Sequence, residues 1–199
     1  MKETDYIKTW LKKNLSDERY SHSLGTADTA KKLAKYYGLD SVKAYIAGLI
    51  HDCAKNMDNS NLLKLIKDEI KTGFDSCELK NPKVYHAIAA PYIAQKEFEI
   101  EDCEILKAIR LHTIGSVDMT LFDKIIFLAD KIEPNTRDSE YTKPLYDAIE
   151  QTEGIKGLDL ALFVCYCSTI KSLVKRRLYI CPLTIDVYNN LLENLGESV

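Results

Sequence analysis

The chain has 199 residues, 46% of them hydrophobic and 29% charged, with a formal net charge of -3. That length and composition describe one globular domain, with or without a helical extension, and enough apolar residues for a real core. The mild acidity argues against a general nucleic-acid coat, which is usually strongly basic, but leaves room for a small phosphorylated ligand that feels only the local field.

The N-terminal stretch MKETDYIKTWLKKNL is amphipathic and carries acids, so it reads as neither signal nor transit peptide. Within it Tyr6, Ile7, Trp10, Leu11 and Leu15 fall close to one helix face. Ser16 is expected to cap a second helix, with Asp17 and Glu18 at its positive end; it runs through RYSHSLGTADTAKKLAKYYG and stops at Gly38. Ser41 is expected to cap a third, strongly apolar helix. Asn59 or Ser60 then starts NLLKLIKDEI, and a loop with Gly73 and Pro82 follows.

The later segments read as helices too: VYHAIAAPYIAQKEF, with a kink expected at Pro91, then EDCEILKAIRLHT and MTLFDKIIFLADKIE. PLYDAIEQT, GLDLALFVCYCSTIKSLVKRR and PLTIDVYNNLLENL complete the chain. Strand-type alternation is nearly absent, and no repeat or linker divides the text. An all-α bundle is the expectation. No apolar run approaches the ~18 residues that suggest a membrane span. Six cysteines, Cys53, Cys77, Cys103, Cys165, Cys167 and Cys181, form no C-x-x-C pair, which predicts reduced thiols and a cytoplasmic protein. Cys165 and Cys167, two residues apart, diverge on a helix and do not suggest a zinc knuckle.

The stretch AYIAGLIHDCAKN, residues 44–56, carries the chemistry. It enters a core as an apolar helix and then presents His51 and Asp52 side by side, with Lys55 one turn further on. A buried charge without a partner is costly, so such a pair calls for an ion, a counter-charge or a substrate. The chain has four histidines, His22, His51, His86 and His112, each in or at the end of a different helical segment. Asp130 ends the apolar run IIFLAD. A single core histidine is more often satisfied by a carbonyl, and Asp130 alone suits a helix-end salt bridge. Taken together they form an ordinary ligand set for zinc, iron or manganese, of the kind that helical bundles build from facing helices.

The order His22, His51-Asp52, His86, His112, Asp130 resembles the H…HD…H…H…D pattern of the HD-domain metal-dependent phosphohydrolase superfamily, over roughly residues 18–135. More narrowly, RYSHSLGTADTAKKLA, AGLIHDCAK, YHAIAAPYIA, AIRLHTIG, IIFLADKIEPNTR and ICPLTIDVYNNLL are similar to the bacterial HD-domain symmetrical diadenosine tetraphosphatases. The resemblance implies a single all-α HD domain over 1–199, with its core at about 16–135 and C-terminal helices at 140–195 packed on it. It implies that His22, His51, Asp52 and Asp130 hold a metal, expected to be iron, with manganese or cobalt as substitutes. Asp52 can bridge to a second ion held by His86 and His112; with one ion, those histidines would instead bond a phosphate oxygen or the attacking water.

The chemistry so implied is in-line attack on phosphorus by a metal-bound hydroxide, which cleaves diadenosine tetraphosphate centrally to two ADP. Catalysis would fall to Asp52, His86, His112 and Lys55. Arg19, three residues before His22, shares its helix face and can aim at phosphate, as can Lys55, one turn beyond Asp52. Thr113 can donate a hydroxyl to phosphate or back-bond to its helix. Arg137 is the arginine expected after the EP element, although NTRDSEY departs from the family spacing there. The basic run at 171–177 can complement a helix C-terminus or receive the distal nucleotide. Tyr36 and Tyr37 suit packing better than base stacking. The partner is a dinucleoside polyphosphate or other nucleotide, with no nucleic-acid duplex, no membrane, and a homodimer left open. Another HD nucleotidase or cyclic-nucleotide phosphodiesterase is the competing enzyme. A nucleotide-sensing regulatory module is disfavoured, because degenerate domains of that kind lose ligands.

Overall fold

A computed structural model describes residues 1–152 and 154–196. Among the described residues there are ten α-helices and no strand: α1 Thr4–Asn14, α2 Asp17–Tyr36, α3 Ser41–Ile50, α4 Asn59–Leu65, α5 Tyr85–Phe98, α6 Cys103–Leu111, α7 Leu121–Ile132, α8 Ser139–Gln151, α9 Ile155–Lys175 and α10 Pro182–Leu195. A π-helical turn, Ile66–Ile70, forms the end of the helix expected to start at Asn59 or Ser60, and two short 3-10 turns, Glu78–Lys80 and Pro82–Val84, occupy the segment expected to be loop.

Local chemistry explains the boundaries. The Ser16 side chain accepts from Arg19 N, capping α2 as expected. Asp40, not Ser41, caps α3, because its carboxylate reaches both the Val42 and Lys43 amides. The helix expected from Pro144 begins earlier, at Ser139. There the Asp138 side chain caps the Glu140 amide, and α8 continues through Pro144 despite the lost N–H. α5 likewise runs on through Pro91 to Phe98.

Small residues bring α2 and α3 together. Ala27, Ala30 and Ala34 on α2 and Ala44 and Ala47 on α3 are all fully buried. Gly48 completes the approach: a Cβ there would stand 2.9 Å from Ala27 Cα and 2.9 Å from the Thr26 carbonyl oxygen. α7 is the central strut, packing against α2, α3, α6, α8 and α9. Its Ile125, Ile126 and Leu128 are fully buried, each contributing about 1.5–3 kcal/mol by removal from water. The α2, α3 and α7 contacts fix where His22, His51 and Asp130 sit.

α8 and α9 pack on α7, and α10 packs on α9. By length and composition α9 is apolar enough to cross a membrane, contrary to the sequence expectation, with a third of its most apolar window buried inside the fold. Among the described residues no disulfide joins any two of the six cysteines. Cys77 Sγ and Cys181 Sγ lie 2.9 Å apart, joining the segment before α5 to the start of α10 across a separation that no sequence spacing reveals.

The α2–α3 contact is tested by Gly48→Ala. The added methyl meets backbone on α2, so urea unfolding is expected to show a loss of about 1–3 kcal/mol with an unchanged m-value. Unchanged stability would mean that the two helices are not held at this distance.

Candidate metal centre

Helix ends deliver two of the four imidazoles. His51 follows α3 and His112 follows α6, and each donates Nδ1–H to the carbonyl three residues back, Gly48 O and Ile109 O, at 2.7 Å. That bond fixes the tautomer and leaves Nε2 free, projecting beyond its helix. His22 lies in the second turn of α2 and His86 near the start of α5. Asp52 follows His51 directly, and Asp130 stands near the C-terminus of α7. The structure gathers all six groups into one cluster, none more than 4% exposed.

Their spacing divides the cluster into two groups that share Asp52. In the first, His22 Nε2 lies 3.2 Å from His51 Nε2 and 2.9 Å from Asp130 Oδ1. Asp52 Oδ2 approaches the same pair of imidazoles at 3.9 and 3.6 Å. In the second, Asp52 Oδ1, His86 Nε2 and His112 Nε2 form a triangle with edges of 3.1, 3.3 and 3.2 Å. Two ligand atoms at about 2.1 Å from one ion stand about 3.0–3.4 Å apart at octahedral to tetrahedral angles. The short edges match that separation.

Asp52 Oδ1 supplies the independent evidence for a metal. It is buried and close to two ring nitrogens, yet the angles make no hydrogen bond to either, so it is an orphaned acceptor. Lone pairs converging on a common point are what a cation requires. Both His22–His51–Asp130 and His51–Asp52–His112 can hold an ion.

Electrostatics point the same way. Burial alone would raise the Asp52 and Asp130 carboxyls. For Asp52 the imidazoles of His51, His112 and His86 hold it well below the usual range, and for Asp130 the Lys131 charge and His22 and His51 do the same. Burial lowers His86 and pushes His112 down to about 3. Ionised carboxylates and neutral imidazoles are the ligating forms.

Four cations surround the acidic pair at the partly exposed edge. Arg19 Nη1 lies 2.9 Å from Asp52 Oδ2, and Lys55 Nζ lies 3.0 Å from His86 Nε2 and 3.7 Å from Asp52 Oδ1. Arg137 binds the Asp130 carbonyl oxygen and Oδ1 at 2.8 and 2.7 Å, so it reaches the cluster despite its unusual spacing. Lys131, which the sequence reading did not select, lies 2.6 Å from Asp130 Oδ2. Beside Lys55 and His86 opens a cleft of about 330 Å³ lined also by Asn59, Leu62, Pro82 and Lys83. A larger concavity of about 590 Å³ around Met1, Lys43 and Asp102 shares no residue with the cluster.

Other sequence candidates stand apart. Thr113 Oγ1 is buried without a hydrogen-bond partner, so the back-bond to its helix does not form. The basic run sits exposed at the end of α9, and no ion pair among the described residues joins it to the cluster. Tyr36 and Tyr37 meet each other edge to face, with centroids 4.9 Å apart. A residue passed over in the sequence is Glu133, fully buried, whose Oε1 accepts from His22 Nδ1 at 3.0 Å. Its three-residue step from Asp130, one turn along, is the signal that marks it.

An all-α bundle with this buried histidine–aspartate cluster is an HD-domain hydrolase. The sequence profile of the HD domain matches residues 19–135, and the chain belongs to that family. The symmetrical bis(5'-nucleosyl)-tetraphosphatase of Halalkalibacterium halodurans is 36% identical over 92% of this chain and 93% of its own length. The protein of the same name from Bacillus subtilis is 34% identical over 92% and 94%. A solved structure from Clostridium acetobutylicum, described as a predicted HD superfamily hydrolase involved in NAD metabolism, is 34% identical, with a TM-score of 0.89 over 98% of this chain and 99% of that one.

Asp52→Ala removes the group shared by both halves of the cluster. The variant is expected to lose bound metal in elemental analysis and hydrolysis together, with an unchanged helical circular dichroism spectrum. Full metal content and activity would refute the assignment.

Proposed function

We propose that the chain hydrolyses dinucleoside tetraphosphates at the centre of the phosphate chain, giving two ADP from diadenosine tetraphosphate. The observation that carries this is the division of Asp52: one oxygen faces His22 and His51, the other faces His86 and His112. His22, His51, Asp130 and Asp52 Oδ2 would hold one ion, with Asp52 Oδ1, His86 and His112 holding a second. Iron is the metal proposed, with manganese or cobalt able to replace it. When bound, a divalent ion lowers the pKa of coordinated water to about 7, and a pair of ions also screens phosphoryl charge.

The chain's own cations bind and orient the substrate. Arg19 and Lys55 stand on the Asp52 side, Lys131 and Arg137 on the Asp130 side. Committing the two carboxylates to metal frees these four to take up phosphate oxygens. A polyphosphate chain, charged at every phosphate, suits cations placed on both sides of a central cluster. That placement supports cleavage in the middle of the chain rather than at one end.

The description of the Clostridium relative favours a second reading, hydrolysis of a nucleotide of NAD metabolism. Product analysis separates them. Protein carrying its native metal is given diadenosine tetraphosphate or nicotinamide adenine dinucleotide, and the nucleotides are resolved by chromatography. ADP as the sole product from the first establishes central cleavage. AMP with ATP keeps the hydrolase and rejects symmetry, and turnover of the second alone selects the other reading.

The phosphate clamp has its own test. Arg19→Ala and Lys131→Ala each remove a charged hydrogen bond worth about 1.5–3 kcal/mol, a loss of roughly 10–100-fold in kcat/KM. Unchanged kinetics in both variants would remove these side chains from the substrate path.

A further inference from the structure

Glu133 is the fully buried carboxylate with no place in the ligand set or the phosphate clamp. Five contacts occupy its two oxygens. Oε1 accepts from His22 Nδ1 at 3.0 Å, from the Thr136 amide at 3.1 Å and from the Thr136 hydroxyl. Oε2 accepts from the Asn135 amide at 2.6 Å and the Thr136 amide at 3.3 Å. Asn135 Nδ2 in turn donates to the Ser21 carbonyl on α2 at 2.9 Å, tying the turn after α7 to the helix that carries His22. Both oxygens therefore meet donors, and only an ionised carboxylate satisfies all of them.

A second feature is built around the same contact. Gly25 lies one turn after His22 on α2, and a Cβ there would come within 2.3 Å of Glu133 Oε2 and 3.0 Å of the Asn135 side chain. Gly25 does not have positive φ, since it sits inside a regular helix. Its lack of a side chain is explained by the space that the Glu133 carboxylate fills. A helix interior accepts the conformational cost of glycine here so that a carboxylate can reach the imidazole one turn away.

We infer that Glu133 is the positioning residue of the metal centre: it holds His22 in the Nδ1–H tautomer, aims Nε2 at the ion, and strengthens that imidazole as a ligand. The inference rests on the reading of His22 as a metal ligand. His51 and His112 have neutral carbonyls behind them, at Gly48 and Ile109, whereas His22 has an anion. A carboxylate behind a ligating histidine raises its basicity, and loss of such a partner typically costs 10–100-fold in metal affinity. The consequence is an unequal pair of sites. The group containing His22, Asp130 and Glu133 binds its ion more tightly than the group of His86 and His112.

The test is a titration of the metal-free full chain with Co2+, followed by visible absorption, with competition from a chelator to set the affinity. Wild type is expected to fill in two steps. Glu133→Ala is expected to weaken the tighter step by roughly 10–100-fold and leave the weaker step in place. Glu133→Gln, which keeps one acceptor for His22 but sets an amide against the Asn135 N–H, is expected to fall between them. Gly25→Ala, which displaces the carboxylate without removing it, is expected to weaken the same step. Circular dichroism at the titration temperature confirms that each variant is folded, so a purely structural role would leave the Co2+ steps unmoved. His22→Ala is the control for the underlying reading. If His22→Ala abolishes the tight step while Glu133→Ala and Gly25→Ala keep wild-type affinity, the inference is overturned. If His22→Ala itself keeps the tight step, the ligand assignment fails instead.

Discussion

Everything in this fold is arranged around one buried carboxylate whose two oxygens face different ways. Asp52 is 2% exposed, and its charge is tolerable only because imidazoles, Arg19 and Lys55 crowd against it. In water such a group would be solvated on both sides. Here each side meets a pair of histidine nitrogens, and Oδ1 finds no hydrogen-bond geometry with either of its two. An arrangement so poor in donors and so rich in lone pairs is stable as a site for cations.

The scaffold meets that demand with helix ends. α3 and α6 each stop at a histidine that bonds back to its own last turn, which turns an unsatisfied carbonyl into a device for aiming an imidazole. The close α2–α3 contact through alanine and Gly48 sets the separation of His22 from His51. α7, buried along most of its length, brings Asp130 to the same point and ends in the turn that holds Glu133. Packing energy thus fixes the geometry of groups that would otherwise repel or be solvated. The cations lie at the open edge, where they neutralise the acids and remain able to move to a phosphate.

Much of this was legible in the sequence because the relevant signals are local. Apolar periodicity marked the helices, and polar residues breaking that periodicity at His22, His51, Asp52, His86, His112 and Asp130 marked the cluster. Arg19 and Lys55 followed from the spacing of a helical turn. Failures came where tertiary context competes with local rules. Asp40 displaced Ser41 as a cap because its carboxylate reaches two amides, and α8 started before Pro144 because the Asp138 cap outweighs one missing rung. Lys131 lies beside Asp130 in sequence and was hidden by its ordinary appearance at a helix end. Glu133 is visible only as a spacing from Asp130, and its value depends on a contact with a residue 111 positions away. The Cys77–Cys181 approach is wholly tertiary. Thr113, next to His112, shows the reverse case, a hydroxyl expected to back-bond to its helix that the fold leaves without that bond.

On the reading proposed above, Asp52 joins two metal positions rather than completing one. The most direct measurement is metal stoichiometry on protein purified with its native metal, for wild type and for the double variant His86→Ala/His112→Ala. Two ions per chain are expected in wild type and one in the double variant, held by His22, His51, Asp52 and Asp130. A single ion in wild type, or an unchanged count when both histidines are removed, would contradict it.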